Sequence, residues 1–370
     1  MKQLFLFFLF SSFFFIFKSE IGFAQEVKSK NSMELKLSGR IQLQHFYNNR
    51  FRTADSITYH GFRIRRGRFQ VDAKLTSFFT AKFQIEARDN LPRLKDAEGR
   101  LKLFKNYYFR FGQFKIPVWR EEFKRSSSDL ILVERSAASA FLILNLLSAR
   151  QIGTEFGGNI SSKLFFALNY SNGSGEGNSE IAIATLLRDE NEVDLLLKSN
   201  NGKMYSGRLD YSISDKVKFG LSGAVNFIGN ELDTLDNTGK NTVIAPDFGI
   251  YLPSGVDLEG GIAWGSISKS YIEVAENQNY IMGDLTGRWK KLLEEPLENW
   301  GGLSGFELAA GASYIDIDSN ELNQRNSYRF GPAVYFGKKS RLQVNAEVVE
   351  PAEKNEDLFW RIRSQFTVNF

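Results

Sequence analysis

The segment LFWRIRSQFTVNF, residues 358–370, alternates between apolar and polar side chains along most of its length. One parity carries apolar or small residues, which are Leu358, Trp360, Ile362, Ser364, Phe366, Val368 and Phe370. The other parity is polar from Arg361 to Asn369, and Phe359 is the exception. A period of two indicates a β-strand with one face in an apolar medium and one in water. A half-buried strand of a soluble sheet is the simplest alternative.

The opening residues MKQLFLFFLFSSFFFIFKSEIGFAQ form a second distinctive segment. Lys2 precedes an apolar run from Leu4 to Phe17, and Gly22 to Ala24 supply small residues suited to a cleavage site. The apolar run is shorter than the roughly 20 residues that a membrane-spanning helix requires. The pattern therefore predicts a secretory signal peptide over residues 1–24, and an exported mature chain over residues 25–370.

Alternating segments recur through the rest of the chain, which favours a transmembrane β-barrel over a soluble sheet. An exported chain that ends in an alternating strand on Phe370 resembles the outer-membrane barrel proteins whose last strand is recognised for assembly. Barrel strands take about 9–11 residues, and bacterial single-chain barrels have even strand numbers. We predict about sixteen antiparallel strands, at 34–48, 61–75, 78–89, 94–104, 107–117, 151–160, 164–172, 203–213, 216–228, 245–253, 256–266, 280–290, 304–317, 327–337, 340–350 and 358–370.

The predicted connections alternate between short and long, as periplasmic turns and external loops do. Long connections are expected at 118–150, 173–202, 229–244 and 267–279. The segment near 291–303 breaks the pattern, because it is long where a short turn is expected. Residues 181–188 fit either a short helix or a hairpin inside a long loop.

Charge is distributed unevenly along the chain. Residues 40–120 carry 18 Lys and Arg against 6 Asp and Glu, a net charge of +12, whereas residues 121–370 carry 24 against 34, a net charge of −10. The whole-chain value of +4 conceals this difference. The absence of Cys excludes thiolate chemistry and disulfides, and only two His, His45 and His60, are present for a metal site or a catalytic relay.

The stretch GFRIRRGRFQVDA, residues 61–73, concentrates four arginines in a predicted strand. If Phe69 and Val71 face lipid, then Arg66 faces the lumen but Arg65 falls on the lipid parity. Arginine at the middle of a bilayer costs about 2–4 kcal/mol, so we expect a β-bulge near Arg65 and Arg66 that turns both inward. By the same parity, Arg40 of the first strand faces the lumen.

Two interpretations of the lumenal arginines remain open. Rings of Arg and Lys select anions and phosphate in pores, and the planar guanidinium group suits phosphate. Alternatively, the arginines form ion pairs within the wall, with Asp72, Glu86, Asp96 and Glu98 as nearby partners.

The chain resembles the phosphate-selective porins O and P over most of residues 35–160. The motifs are LSGRIQLQHF, FRIRRGRFQVDAKL, KDAEGRLKLFKNYYFRFGQFKIPVWREE, LVERS and RQIGTEFGG, in that order. This resemblance implies a trimeric outer-membrane barrel of sixteen strands whose long third loop folds into the lumen. It also implies an anion-binding set, by position within those motifs, of Arg40, Arg65, Arg66, Arg135 and, as a looser match, Lys124.

The sequence therefore predicts a multi-pass outer-membrane channel for small anions, with phosphate or a related oxyanion as solute. We expect no catalytic residue, metal, cofactor or nucleic-acid partner, and we expect contacts with outer-membrane lipid and, through Phe370, with the assembly machinery. A weakly selective porin and a surface adhesin with a plugged barrel are the alternatives. The loop at 118–150 is expected either to constrict the pore or to form the trimer contact.

Overall fold

The computed structural model describes residues 26–28, 33–48, 59–88, 91–147, 149–173, 202–228, 231–232, 235–236, 239–268, 277–318, 325–337, 340–351 and 358–370. The predicted signal peptide at 1–24 and the undecided segment 181–188 lie outside these residues. In the part of the chain that is described, no helix has the length and apolar character needed to cross a bilayer.

The fold consists almost entirely of β-strands. In the first half they are β1 (Glu26–Lys28), β2 (Glu34–Asn48), β3 (Tyr59–Lys74), β4 (Phe79–Arg88), β5 (Leu91–Leu103), β6 (Tyr107–Lys115), β7 (Arg150–Asn159), β8 (Leu164–Asn172), β9 (Lys203–Ser212) and β10 (Val217–Ile228). In the second half they are β11 (Glu231–Leu232), β12 (Leu235–Asp236), β13 (Gly239–Tyr251), β14 (Val256–Ile267), β15 (Gln278–Leu297), β16 (Leu303–Ile317), β17 (Arg325–Phe336), β18 (Ser340–Pro351) and β19 (Phe359–Asn369).

Sixteen of these strands close into one antiparallel barrel. Strands β2 to β10 and β13 to β19 each pair with their neighbours in sequence, and β19 pairs with β2 to complete the ring. The short β1 pairs with β2, and β11 and β12 form a separate small hairpin. The prediction of a sixteen-stranded antiparallel barrel is confirmed.

The two faces of the wall separate by side-chain chemistry. Along β19, Gln365 and Thr367 are buried on the lumenal side, whereas Trp360 and Phe366 are exposed on the outer side. The same alternation gives β18 a buried Gln343 beside an exposed Leu342 and Val344. A strand with an apolar outer face and a polar inner face is the pattern expected of a barrel wall in a membrane.

The predicted bulge in β3 is confirmed. Gln42 of β2 pairs with Arg66, but the next residue, Leu43, pairs with Ile64, so Arg65 is the extra residue. Both arginines are buried, while Phe62 and Ile64 are exposed on the outer face. The bulge therefore turns two consecutive arginines into the lumen, as a β-bulge can when it interrupts the alternation.

The expected long connection near 291–303 is mostly strand. β15 continues to Leu297, and its pairing with β16 shifts register between Leu292 and Leu297. A 3-10 turn, Glu298–Trp300, then leads to β16. The four residues between Leu292 and Leu297 lie opposite one residue of β16, Ser304, so the additional length forms a wide bulge before the turn.

Candidate functional site

The connection between β6 and β7 leaves the wall and packs against the inner face of the barrel. It contains helix α1 (Arg120–Lys124), helix α2 (Ala137–Ala140) and a π-helix, Phe141–Leu147. The chain turns at Trp119, whose φ of 61° is rare for a bulky residue, and its N–H donates to the Ser222 hydroxyl at 3.2 Å. A positive φ at this point sends the chain away from the direction of β6.

Apolar side chains of this connection, residues 116–149, cover an apolar part of the inner wall. Trp119, Leu142 and Ile143 belong to the same buried cluster as wall residues of β9 to β16. The wall residues of the cluster are Met204, Ala224, Val243, Ala245, Ala263, Ile267, Tyr280, Met282, Ile315 and Ile317. Because Trp119, Leu142 and Ile143 are buried against this wall, these apolar side chains are not exposed to water.

Hydrogen bonds tie the connection to the opposite side of the wall as well. Gln42 of β2 donates to the Ser127 carbonyl at 3.0 Å, and Gln343 of β18 donates to the Ile131 carbonyl at 3.0 Å. The Val133 N–H donates to the Asn345 side chain at 2.5 Å. The connection is thus held by side chains from β2 and β18, the two strands that flank β19.

Arg65 and Arg66 meet a carboxylate of this connection. The Arg65 Nε and Nη2 atoms lie 2.5 and 3.0 Å from the two carboxylate oxygens of Glu134, and Arg66 Nη2 lies 3.3 Å from Glu134 Oε2. Gln44 Nε2 adds a contact of 3.2 Å to Oε1. Planar guanidinium groups that hold both oxygens of a carboxylate form the stronger kind of charged hydrogen bond.

The charge of Glu134 is stabilised by these arginines. Burial by itself would raise the pKa of the carboxyl group, but Arg66 and Arg65 outweigh it and hold the pKa well below the ordinary value for glutamate. Glu134 therefore remains an anion at neutral pH.

Arg40 has a different environment from the Arg65–Arg66 pair. Its Nε atom donates to Asn369 Oδ1 at 2.8 Å, and its two terminal nitrogens donate to the hydroxyls of Ser127 and Ser128, each at 2.7 Å. All three acceptors are neutral oxygens, and the carboxylates of Asp129 and Glu86 act on the charge of Arg40 only from a distance.

The other two predicted site residues pair with different carboxylates. Lys124 Nζ forms an ion pair with Asp210 of β9 at 2.5 Å, and Arg135 pairs with Glu122 of α1. Burial lowers the pKa of Lys124, and Asp210 offsets that effect only in part. The structure therefore joins Arg65 and Arg66 through one carboxylate, and it does not bring all five residues to one point.

Ion pairing within the wall, the alternative considered above, accounts for some of the lumenal charge. Arg68 pairs with Glu86, which also lies 3.9 Å from Arg66. Glu98 pairs with Arg110 at 3.1 Å, and Asp96 pairs with Arg150 of β7 at 2.6 Å. Cations of the connection and of later strands are paired in the same way: Arg125 with Glu259 at 2.8 Å, Arg288 with Asp257 at 2.6 Å, and Arg341 with Glu307 at 3.7 Å.

A cavity lies in the lumen toward the end with the short turns, and cations outnumber acidic residues in its lining. It has a volume of about 630 Å³, and Asp72 and Asp129 are the acidic residues in its lining. The cations in the lining are Lys36, Arg40, Arg68, Arg125, Arg288, Lys290 and Arg341. An excess of fixed positive charge in a confined lumen backed by low-dielectric walls raises the local concentration of anions.

The sequence reasoning missed the cations that later strands contribute to this cavity. Arg288 and Lys290 alternate with the outward Trp289 in GRWKK, and Arg341 precedes the outward Leu342 in SRLQV. The parity rule that placed Arg40 would have placed these three residues in the lumen. The net charge of −10 over residues 121–370 concealed them, because a net charge does not record which face each residue occupies.

The described residues contain no group of three or more His, Cys, Asp and Glu side chains arranged to hold a metal ion. His45 lies on the outer face, where its ring centroid is 4.7 Å from that of Phe62. This histidine therefore packs on the outer surface of the barrel and contributes nothing to the lumenal site.

Comparisons with known proteins agree with this architecture. Residues 35–187 match the family model described as phosphate-selective porin O and P, which confirms the resemblance seen in the motifs. No curated protein sequence matches the chain.

Solved structures show the same fold at low sequence identity. An anion-selective porin from Comamonas acidovorans aligns with a TM-score of 0.66 and 10% identity, covering 91% of this chain and 100% of that chain. The outer membrane channel DcaP of Acinetobacter baumannii gives 0.60 and 12%, covering 93% and 99%. OmpT of Vibrio cholerae in its trimer form gives 0.60 and 10%, covering 91% and 99%. Together with the family match, the barrel identifies a multi-pass outer-membrane protein of porin architecture.

Proposed function

We propose that this outer-membrane barrel is a passive channel for small anions, with phosphate or a related oxyanion as the preferred solute. The observation that carries the proposal is the cavity of about 630 Å³ with seven cationic and two acidic residues in its lining. Four of these cations, Arg68, Arg125, Arg288 and Arg341, pair with wall carboxylates, whereas Arg40 donates to neutral oxygens. Arginine and lysine in a pore replace part of the hydration shell of an anion without a need for chemical change. The channel would act without a cofactor and would catalyse no reaction.

In this proposal Arg40 contacts the permeating anion directly. Its side chain lines the cavity together with Ser128, and its contacts are with neutral oxygens. An oxyanion can therefore approach the guanidinium group without first displacing a carboxylate. Arg65 and Arg66 would form a second anion-binding point, and Lys124 and Arg135 would hold the connection in place.

We also propose a homotrimer, because the trimer form of OmpT from Vibrio cholerae shares the fold. The outer face of the barrel would contact lipid and neighbouring subunits. Phe370, at the end of the last strand, would serve in recognition by the assembly machinery.

The test compares Arg40→Gln with Arg361→Gln in planar bilayers. Both changes remove one lumenal arginine, but Arg361 is held by Glu347 at 2.6 and 2.8 Å, outside the lining of the cavity. A hydrogen bond to a charged group contributes about 1.5–3 kcal/mol, so we expect Arg40→Gln to raise the half-blocking phosphate concentration about tenfold or more. Reversal potentials in a KCl gradient should also shift towards cations.

Arg361→Gln should change the half-blocking phosphate concentration and the reversal potential much less than Arg40→Gln does. Equal shifts in the two variants would mean that only total lumenal charge matters, which is the behaviour of a weakly selective porin. A parent channel that prefers cations, or that phosphate does not block, would refute the proposed function. Absence of any single-channel conductance would instead favour the plugged adhesin.

A further inference from the structure

The Arg65–Arg66 pair is already occupied by an anion from the same chain. The Glu134 carboxylate accepts from both arginines and from Gln44, at distances of 2.5 to 3.3 Å. A carboxylate and a phosphate present similar oxygen edges to a guanidinium group. Glu134 thus occupies the position that an incoming oxyanion would need in order to contact this pair.

Glu134 is the most exposed member of this contact. Its side chain keeps 18% of its surface exposed, compared with 11% for Arg65 and 8% for Arg66. An approaching solute therefore meets the Glu134 side chain before it meets either arginine. Exchange does not require the wall to open.

The backbone around Glu134 is fixed independently of its side chain. Arg329 donates to the Glu134 carbonyl at 2.8 Å, the Val133 N–H donates to Asn345, and the Ser136 N–H donates to Glu121 at 2.9 Å. With main-chain anchors before, at and after this position, release of the carboxylate requires rotation of one side chain. The whole connection need not move.

A third arginine, Arg63, lies near the Glu134 carboxylate while it donates to Gln44 Oε1 at 2.9 and 2.6 Å. Arg63 Nη2 lies 4.0 Å from Glu134 Oε1, and the Arg63 side chain is 33% exposed. A small rotation can therefore move the carboxylate towards Arg63 while it remains near positive charge. The cost of displacement is smaller than the cost of leaving a carboxylate without a cation.

We propose that Glu134 is a tethered competitor for the oxyanion site formed by Arg65 and Arg66, so that a phosphate-class anion binds there only by displacing it. This inference rests on the proposed function, and it adds the residue that limits affinity. A tethered group competes at an effective concentration in the millimolar range or above. The competitor would keep binding weak enough for the anion to leave the site, as conduction requires.

The experiment measures the block of chloride current by inorganic phosphate in planar bilayers at constant ionic strength. It compares the parent, Glu134→Gln and Glu122→Gln. Glu122 is the matched control, because it is a buried carboxylate of the same connection that also pairs with an arginine, Arg135. We expect Glu134→Gln to lower the half-blocking phosphate concentration about tenfold or more, and we expect Glu122→Gln to leave it unchanged.

A second measurement does not depend on conduction. Purified Glu134→Gln protein should denature at a lower temperature than the parent in phosphate-free buffer, because two arginines lose their carboxylate. Added phosphate should restore much of that loss, and it should stabilise the parent less. If Glu134→Gln does not assemble, Glu134→Asp retains the charge on a shorter side chain and should give an intermediate half-blocking concentration.

The outcomes separate this inference from the proposed function. Phosphate block of equal strength in the parent and in Glu134→Gln would overturn the role of Glu134 and leave the anion channel standing. Equal shifts in Glu134→Gln and Glu122→Gln would show that a loosened connection is responsible, which also overturns the inference. No block in any of the proteins would refute both proposals.

Discussion

Gly39 and Phe370 face each other at the seam where β19 meets β2. Their backbones exchange two hydrogen bonds, with N···O distances of 2.8 and 3.0 Å. A Cβ atom at position 39 would lie 2.3 Å from ring atoms of Phe370, so the ring covers the glycine. An aromatic side chain over a glycine on a neighbouring strand is a recognised way to stabilise strand pairing.

This contact predicts that Gly39→Val and Phe370→Ala are not additive. Gly39→Val should reduce the fraction of folded barrel, because the added side chain collides with the ring at a cost of about 1–3 kcal/mol. In a Phe370→Ala background the same change should cost less, since the ring is absent. The measurement is the heat-modifiable band after refolding in detergent, where the assembly machinery plays no part.

Gly67→Val is the matched control for this prediction. A Cβ atom at Gly67 would meet its nearest neighbour, the Ala87 carbonyl oxygen, at 3.6 Å, an ordinary contact. We therefore expect normal folding of that variant. Fully additive losses for Gly39→Val and Phe370→Ala would show that the ring does not exclude a side chain at position 39.

At the scale of an element, the Glu122 carboxylate joins helix α1 to the rest of its connection and to the end of β6. Glu122 pairs with Arg135, and Lys115 at the end of β6 lies 3.6 Å from the Glu122 carboxylate. Burial would raise the pKa of Glu122, but Arg135 and Lys115 outweigh it and lower the pKa to about 2. Both partners of Glu122 thus favour its charged form.

The lowered pKa predicts a pH-dependent contribution of Glu122 to stability. The folded-state pKa of about 2 lies below the unfolded value of about 4.3, so the contribution is complete above pH ~4.3 and lost as pH falls towards ~2. At pH 7 we expect Glu122→Gln to cost about 3 kcal/mol and to lower the temperature of heat modification. The difference in heat-modification temperature between the parent and Glu122→Gln should become smaller as the pH falls from ~4.3 towards ~2.

The exposed Glu295→Gln is the control and should behave as the parent does at every pH. A constant gap between parent and Glu122→Gln from neutral to strongly acidic pH would contradict the prediction. It would mean that the amide disrupts packing and that the charge of Glu122 contributes little.

At the scale of the whole molecule, the connection between β6 and β7 contacts the inner wall on two sides. Its apolar residues pack on β9 to β16, and its polar residues bind β2, β3 and β18. These contacts favour constriction over a trimer contact as the role of this segment. If the segment instead forms the trimer contact, removing it should dissociate the subunits.

Shortening residues 126–147 should therefore raise single-channel conductance severalfold and leave the oligomer intact. The control is an equally long deletion within the connection between β8 and β9, at 176–197, which should affect conductance less. The measurements are bilayer conductance and the oligomeric state on a native gel. Unchanged conductance with loss of the oligomer would support the trimer contact.

The sequence by itself determined the elements and the faces of the wall. Alternation with a period of two is a local property, so all sixteen barrel strands could be predicted. The predicted and observed strand ends differ most at β13 and β15. The bulge was also predictable, because Phe62 and Ile64 conflict in parity with Phe69 and only an extra residue keeps the arginines out of lipid.

Only the tertiary structure decided which charges meet. Glu134 lies 69 residues from Arg65 in sequence, and the connection between β6 and β7 must cross the lumen to bring them together. Likewise, Arg341 and Arg40 line one cavity because β19 pairs with β2 and closes the ring. Local alternation predicts that a side chain faces the lumen. Which side chain it contacts there depends on ring closure and on the path of one long connection.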